Sequence, residues 1–398
     1  MQVARTVSAS KVIILFLLVV GLTAALRGQN PPGVTDKEIL VGSCAALEGP
    51  SSVLGIETVM GAKTYFAMAN AAGGVHGRNL KLISYDDSYD PNKTQACFDR
   101  LMADKVFALG FFVGTPTAVK YVPMAEGNKI PLVGLFTGAQ VLYTPLRHWV
   151  INVRASYHDE TREQISGLWN GLNFRKIGVI YPDDPFGATV LEGLRDALKS
   201  HASEPIGVAS YPRQTTNVDA AIEAVRATSP QAVVVVGPPN TVAPILKKAH
   251  TAGWKPLFVT VSFVGTDELI SQAGADADGM VITQVVPPYY LTDLKTVAEY
   301  RRALTRYFPS ERPNFVSLEG FVDAMVMVDG LKRAGKDVTR DGLVRAIESM
   351  HEMDLGLGPE LKLNYSAKEH KGLDHVIPTV VRGGRAVPFT DWSTAAPK

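Results

Sequence analysis

At 398 residues, with 46% hydrophobic and 20% charged side chains, the chain can bury more than one core, and its length points to two domains. Basic and acidic residues nearly balance, 40 against 39. No strong block of either sign occurs, which excludes the electrostatic footprint of nucleic-acid binding.

The first stretch differs from the rest. Arg5 and Lys11 precede an apolar run over residues 12–20, and Thr23, Ala24 and Ala25 follow it. A basic start, a short apolar core and small residues before a cut predict a secretory signal peptide over residues 1–25. The run is shorter than the roughly 20 residues of a bilayer span, so the expectation is an exported protein, soluble after cleavage. A cut after Ala25 removes two bases and no acid, leaving acids in excess by one. No cysteine adjoins the cut, so no lipid anchor is indicated. The two cysteines, Cys44 and Cys97, then meet an oxidising compartment where they can pair. Free buried thiols are the alternative, because the Cα separation that decides is not written in a sequence.

After Asn30-Pro31-Pro32-Gly33, short apolar runs alternate with amphipathic helical stretches. Strands are predicted over residues 39–44, 80–85, 106–113, 131–136 and 149–153, with helices over 61–72, 92–104 and 116–128 between them. The pattern then restarts, with strands over 177–181, 206–211, 232–236, 257–261 and 281–286 and helices over 186–199, 218–227, 242–252 and 267–272. Strand-helix repetition implies parallel sheets covered on both faces. The fold class is therefore α/β, with two doubly wound lobes in tandem. Three helices over 293–307, 316–334 and 340–350 need a sheet to cover, which predicts a return to the first lobe. Gly383-Gly384 between Val380-Val381-Arg382 and Arg385 marks a hairpin near the second lobe.

The segment from Asn70 to Arg78, with Gly73, Gly74 and Gly77, followed by a strand and Asp86-Asp87, resembles the branched-chain amino-acid binding proteins of the periplasmic-binding-protein type I family. Leu109 to Thr117 is similar to that family's first ligand loop, and Ile130 to Ala139 to its second. The turn Tyr181-Pro182-Asp183-Asp184-Pro185-Phe186-Gly187 resembles the entry into its second lobe. The resemblance spans residues 35–389. It implies a Venus-flytrap receptor with three crossovers, which binds a small amino acid or related carboxylate between closing lobes and hands it to the membrane permease of an ABC transporter. By similarity the first lobe covers residues 34–153 and 286–358, the second 154–285 and 359–398. A monomer without cofactor is expected.

Ligands of doubly wound sheets sit beyond the carboxyl ends of the strands. Gly114 allows close approach of a ligand to the backbone, Thr115 has a cap's chemistry, and Pro116 suits the first helical turn. Free N–H groups at such a helix start attract a carboxylate, and Thr117 lies in the same turn. The alternative is that Thr115 only caps its helix. The resemblance adds Thr137, Gly138 and Ala139 as a second ligand loop, Tyr157 as a pocket wall and Phe186 as an aromatic lid. The acid that related proteins present to a ligand ammonium falls at Ser262, a departure that weakens amino-acid specificity. Asp159 and Glu319 are the candidate replacements. Each has a plainer reading, since Ser156 and Asp159 form a capping-box pattern and Glu319 can face solvent. If neither serves, a carboxylic acid without an amino group fits better.

Gly73 to Gly77 follows a helix and precedes a strand, the reverse of a dinucleotide loop. Asp86 to Asp90 lacks the glycine and distal glutamate of a calcium loop, and suits a cap before Pro91. No His-x-x-x-His pair, nucleophile elbow or Walker loop occurs. No enzyme and no metal site are therefore expected. A sensory receptor feeding a signalling partner is an alternative with the same architecture.

Overall fold

The computed structural model describes residues 30–396; the expected signal peptide lies outside them. Five strands, β1 (Glu38–Ala45), β2 (Asn79–Asp86), β3 (Ala108–Gly110), β4 (Leu132–Val133) and β5 (Val150–Ile151), form a parallel sheet in the order β2-β1-β3-β4-β5. Val41 faces Ala108 and Leu109 faces Leu132 across its ladders. Helices α1 (Ser52–Ala71), α2 (Pro91–Ala103) and α3 (Thr115–Gly127) connect these strands. Asp90 caps α2 by accepting from Asn92 N at 2.9 Å. A disulfide joins Cys44, at the end of β1, to Cys97 on α2, with the Cα atoms 6.0 Å apart.

The second sheet has seven strands. β6 (Ile177–Pro182), β7 (Gly207–Tyr211), β8 (Ala232–Val235), β9 (Leu257–Thr260) and β10 (Val281–Gln284) run parallel. β13 (Ile377–Arg382) returns antiparallel to β10 and pairs with β14 (Arg385–Pro388) through the Gly383-Gly384 turn. Helices α4 (Tyr157–Ser166), α5 (Pro185–Lys199), α6 (Asp219–Arg226), α7 (Pro239–Thr251) and α8 (Thr266–Ala273) surround this sheet. Among the described residues no helix is long and apolar enough to cross a membrane.

The three later helices, α9 (Lys295–Tyr307), α10 (Phe315–Ala334) and α11 (Arg340–Glu348), do return to the first sheet: Phe321, Met327, Leu331 and Leu343 share a core with Val41, Phe66 and Phe111. The contact of α10 with α1 is backbone against backbone. A Cβ on Gly61 would lie 1.9 Å from Ser317 O, and one on Gly320 2.2 Å from Thr58 O. This explains why α1 begins at Ser52 rather than at the predicted 61: its glycines serve close approach and do not break the helix. The edge of the first sheet is also shorter than predicted, because the carboxyl ends of β3 and β4 turn early into loops.

Three segments pass between the sheets, and Ala155, Val285 and Val376 meet there in a small buried cluster. The third crossing differs from the expected 358/359. Leu361, Leu363, Tyr365 and Leu373 are buried in the first core, and β11 (Met353–Asp354) and β12 (Lys362–Leu363) form a short ribbon there. Residues 359–373 therefore belong with the first lobe. The first and third crossings run side by side, with Gly372 N donating to Asn152 O at 2.9 Å and Leu373 N to Val153 O at 2.8 Å.

Candidate functional site

The carboxyl edges of the two sheets face each other, and the site is built where their loops meet. Gly114 precedes α3 with φ 93°, and a Cβ there would fall 1.9 Å from Tyr89 Cε2. Glycine is thus required twice, by the left-handed backbone and by the tyrosine ring. Thr115 does not cap its helix. Its hydroxyl meets that of Thr137 at 2.8 Å, and Tyr157 donates to the same Thr137 oxygen at 3.3 Å. Thr115, Thr137 and Tyr157 are all buried. Thr117, in contrast, spends its hydroxyl on Val113 O at 2.6 Å and Gly114 O at 3.0 Å.

The second candidate loop is pinned by a residue of the first crossing. Asn152 accepts from Leu135 N at 2.8 Å and donates to Thr137 O at 2.9 Å. Gly138 O takes the N–H of Tyr157 at 2.8 Å, and a Cβ on Gly138 would lie 2.8 Å from that nitrogen. Ala139 is buried against the rings, and next to it Gln140 N donates to Thr189 Oγ1 on α5 at 3.3 Å.

An aromatic cage closes over this edge. Phe186 lies 5.2 Å from Tyr157 and 4.6 Å from Phe263, and Phe263 in turn lies 5.4 Å from Phe136 and 5.9 Å from Tyr89. Tyr89 and Phe136 come from the first lobe; Tyr157, Phe186 and Phe263 follow the first crossing. Asp184 caps α5 through Phe186 N and Gly187 N, which sets the Phe186 ring. The rings are tilted against one another, with interplanar angles of 34° to 56°. At the cage mouth a cavity of about 410 Å³ is lined by Thr115, Ala139, Pro185 and Thr189 among others.

Beneath the rings lies a buried charge network. Arg154 sits 5.4 Å from the Tyr157 ring centroid and 5.8 Å from that of Phe136. It donates to Glu160 at 2.7 Å, to Glu319 at 3.1 Å and to Ser262 Oγ. Glu160 also accepts from Ser262 N and Thr283 Oγ1, both at 2.7 Å, and from Ser262 Oγ at 2.9 Å. Burial pushes Glu160 and Glu319 up, and the Arg154 guanidinium opposes it in both. Asp323, on the same helix as Glu319, is raised well above its ordinary value by burial and leaves Oδ2 without a protein partner.

The expected ammonium acceptors are thus occupied. Asp159 completes the capping box with Ser156 and accepts from Lys371 at 2.7 Å and Arg162 at 2.8 Å. Burial would raise its pKa, but the Lys371 and Ser156 hydrogen bonds outweigh burial and hold it below the ordinary value. Glu319 does not face solvent; it is buried on Arg154. Ser262 is bound into the same network. Arg154, Glu160, Tyr89, Phe136 and Phe263 also line the candidate site, and sequence reasoning did not single them out. Phe263, adjacent to Ser262, and Phe136, adjacent to Thr137, were the ones with a local signal. Away from the cage, His158, Glu192 and Asp196 bring ligand atoms within 4.8 Å of one another, but Asp196 already pairs with Lys199 at 3.1 Å.

Two sheets joined by three crossings, with an aromatic cage between their carboxyl edges, define a two-lobe receptor of small molecules. A family model described as periplasmic binding protein matches residues 38–384, and the chain belongs to that family of solute-binding proteins. An amino acid binding protein of Pseudomonas aeruginosa is 25% identical over 286 residues, 70% of this chain and 75% of that one. The crystal structure of a possible leucine/isoleucine/valine-binding protein from Rhodopirellula baltica superposes with a TM-score of 0.86 at 30% identity, covering 93% of this chain and 100% of that one. A fatty acid ABC transporter substrate-binding protein from Thermomonospora curvata shares the fold, with a TM-score of 0.83 at 21% identity over 91% of this chain and 94% of that one.

Proposed function

We propose that this chain is the exported substrate-binding component of an ABC importer, that it captures a small carboxylic acid lacking an α-ammonium group, and that it delivers the acid to the membrane permease. The observation that carries the reading is the buried pair of hydroxyls, Thr115 and Thr137, held 2.8 Å apart at the start of α3 with Tyr157 beside them. Hydroxyls and the free N–H groups of a 13-residue helix supply donors and a partial positive charge to a carboxylate. The apolar rings suit its hydrocarbon or aromatic body.

The absence of an ammonium group follows from charge. Asp159 already holds Lys371 and Arg162, and Glu160 and Glu319 share Arg154; Asp87 and Asp323 hold no cation, but burial raises both carboxyls and so favours their neutral form. An ammonium brought there would displace a formed ion pair instead of satisfying a free carboxylate, and desolvating it without a partner is costly. Closure then follows from the ligand's contacts to both lobes, which exist together only in the closed form.

The test is a thermal-shift screen of the mature protein against amino acids and their deaminated counterparts, because a ligand of the folded state raises the melting temperature. The plain acids should shift it and the matching amino acids should not. A shift by amino acids alone would return the site to an ammonium-binding chemistry.

A further inference from the structure

We infer that Tyr89 is a specificity-determining residue of the cleft, whose hydroxyl selects acids carrying a second hydrogen-bonding group, a ring hydroxyl or a carbonyl, at the end remote from the carboxylate. The inference rests on the carboxylate reading above and deepens it.

Tyr89 is 2% exposed, yet its hydroxyl oxygen is buried without a protein hydrogen-bond partner. Buried tyrosine hydroxyls nearly always find one, and a phenylalanine would pack the same wall without the desolvation cost. The ring is held with unusual firmness for a loop residue. Its backbone is left-handed, with φ 56°, a conformation uncommon outside glycine and asparagine. Its N–H donates to Asp87 Oδ1 at 3.0 Å, and its carbonyl accepts from Arg213 and, at 3.4 Å, from Gln214.

Both lobes grip the ring. On one side Gly114 leaves it room against the carboxylate loop. On the other, the Arg213 guanidinium lies 4.7 Å from its centroid, and Phe263 lies 5.9 Å away. Arg213 is itself anchored on Asp184, the cap of the Phe186 helix, at 3.2 Å. When the lobes meet, the Tyr89 hydroxyl is therefore a donor and acceptor on a ring packed beside Phe263, which in turn meets Phe136 and Phe186. A site that offers a buried polar group to a substrate hydroxyl rejects the analogue lacking it far more strongly than a hydrophobic pocket rejects a missing methylene. Tyr89 would impose that selection on a cage that is otherwise tolerant of apolar shape.

The test is isothermal titration of wild type and Tyr89→Phe with two matched pairs, benzoate against 4-hydroxybenzoate and pentanoate against 4-oxopentanoate. In at least one pair the oxygenated member should bind wild type about ten-fold or more tighter, and Tyr89→Phe should bind both members equally. Unliganded melting curves of the two proteins, which differ by one oxygen, establish that the variant is folded. Equal affinities within both pairs for wild type, or a preference that survives in Tyr89→Phe, would overturn the assignment while leaving the carboxylate reading intact. If none of the four acids binds wild type, the carboxylate reading fails and the Tyr89 assignment falls with it.

Discussion

Replacing Arg154 by methionine keeps much of the side chain's length and removes its charge from a position that is 1% exposed. Glu160 would keep three hydrogen bonds, from Ser262 N, Ser262 Oγ and Thr283 Oγ1. Glu319 would keep none, since Arg154 at 3.1 Å is its partner. Removing one member of a buried ion pair costs about 3–5 kcal/mol, a large fraction of an ordinary domain's stability. The loss should also depend on pH. Burial raises the folded pKa of Glu319 and Glu160 above the unfolded value of 4.5, and Arg154 limits the rise. An acid raised on folding contributes stability that is fully present below its unfolded pKa and is lost as pH climbs through its folded pKa. Without Arg154 the folded values move higher, so the loss continues to higher pH. The deficit of Arg154→Met should therefore be larger at pH 8 than at pH 5, and adding Glu160→Gln and Glu319→Gln should recover much of it. Urea unfolding followed by tryptophan fluorescence at the two pH values measures this. A deficit below about 1 kcal/mol, or one equal at both pH values, would refute the network as described.

Cys44→Ser with Cys97→Ser opens a loop with a sequence separation of 53, and should cost about 4 kcal/mol by loop entropy, read as a lower urea midpoint. Burial raises Asp87 from 3.8 to about 7, and its Oδ2 has no protein partner; stability linked to its proton is full below pH 3.8 and lost as pH rises through 7. Asp87→Asn should accordingly gain up to about 4 kcal/mol at pH 8 and less than half of that at pH 5. A Cβ on Gly167 would lie 1.8 Å from Trp392 Cε2, so Gly167→Ala should lower stability by about 1–3 kcal/mol and change the Trp392 emission. Trp392→Leu in the same chain should relieve part of that loss.

The alternation of strands and helices was legible because parallel sheets demand apolar runs and their crossovers demand amphipathic helices. The glycines of α1 were not, because Gly55 and Gly61 answer to Ala46 O and Ser317 O, partners that a local reading cannot see. The two candidate loops stood out through Gly114-Thr115-Pro116 and Thr137-Gly138, yet only the structure shows that Thr115 turns from its helix toward Thr137. The charge network was hidden for the same reason as the helix contact. Arg154 and Glu319 are 165 residues apart, and nothing near either one names the other. Asp159 carried a capping pattern in the sequence, and the cap is what it forms.

The central claim is that a carboxylate binds at the paired hydroxyls, and titration of the preferred acid from the screen into wild type and Thr115→Val/Thr137→Val tests it most directly. Hydrogen bonds to a charged group contribute about 1.5–3 kcal/mol each, so the variant should lose at least about ten-fold in affinity for each hydroxyl removed, while the unliganded protein stays folded with a melting temperature lowered by the loss of Tyr157's acceptor. Unchanged affinity in the double variant would place the carboxylate elsewhere and contradict the account.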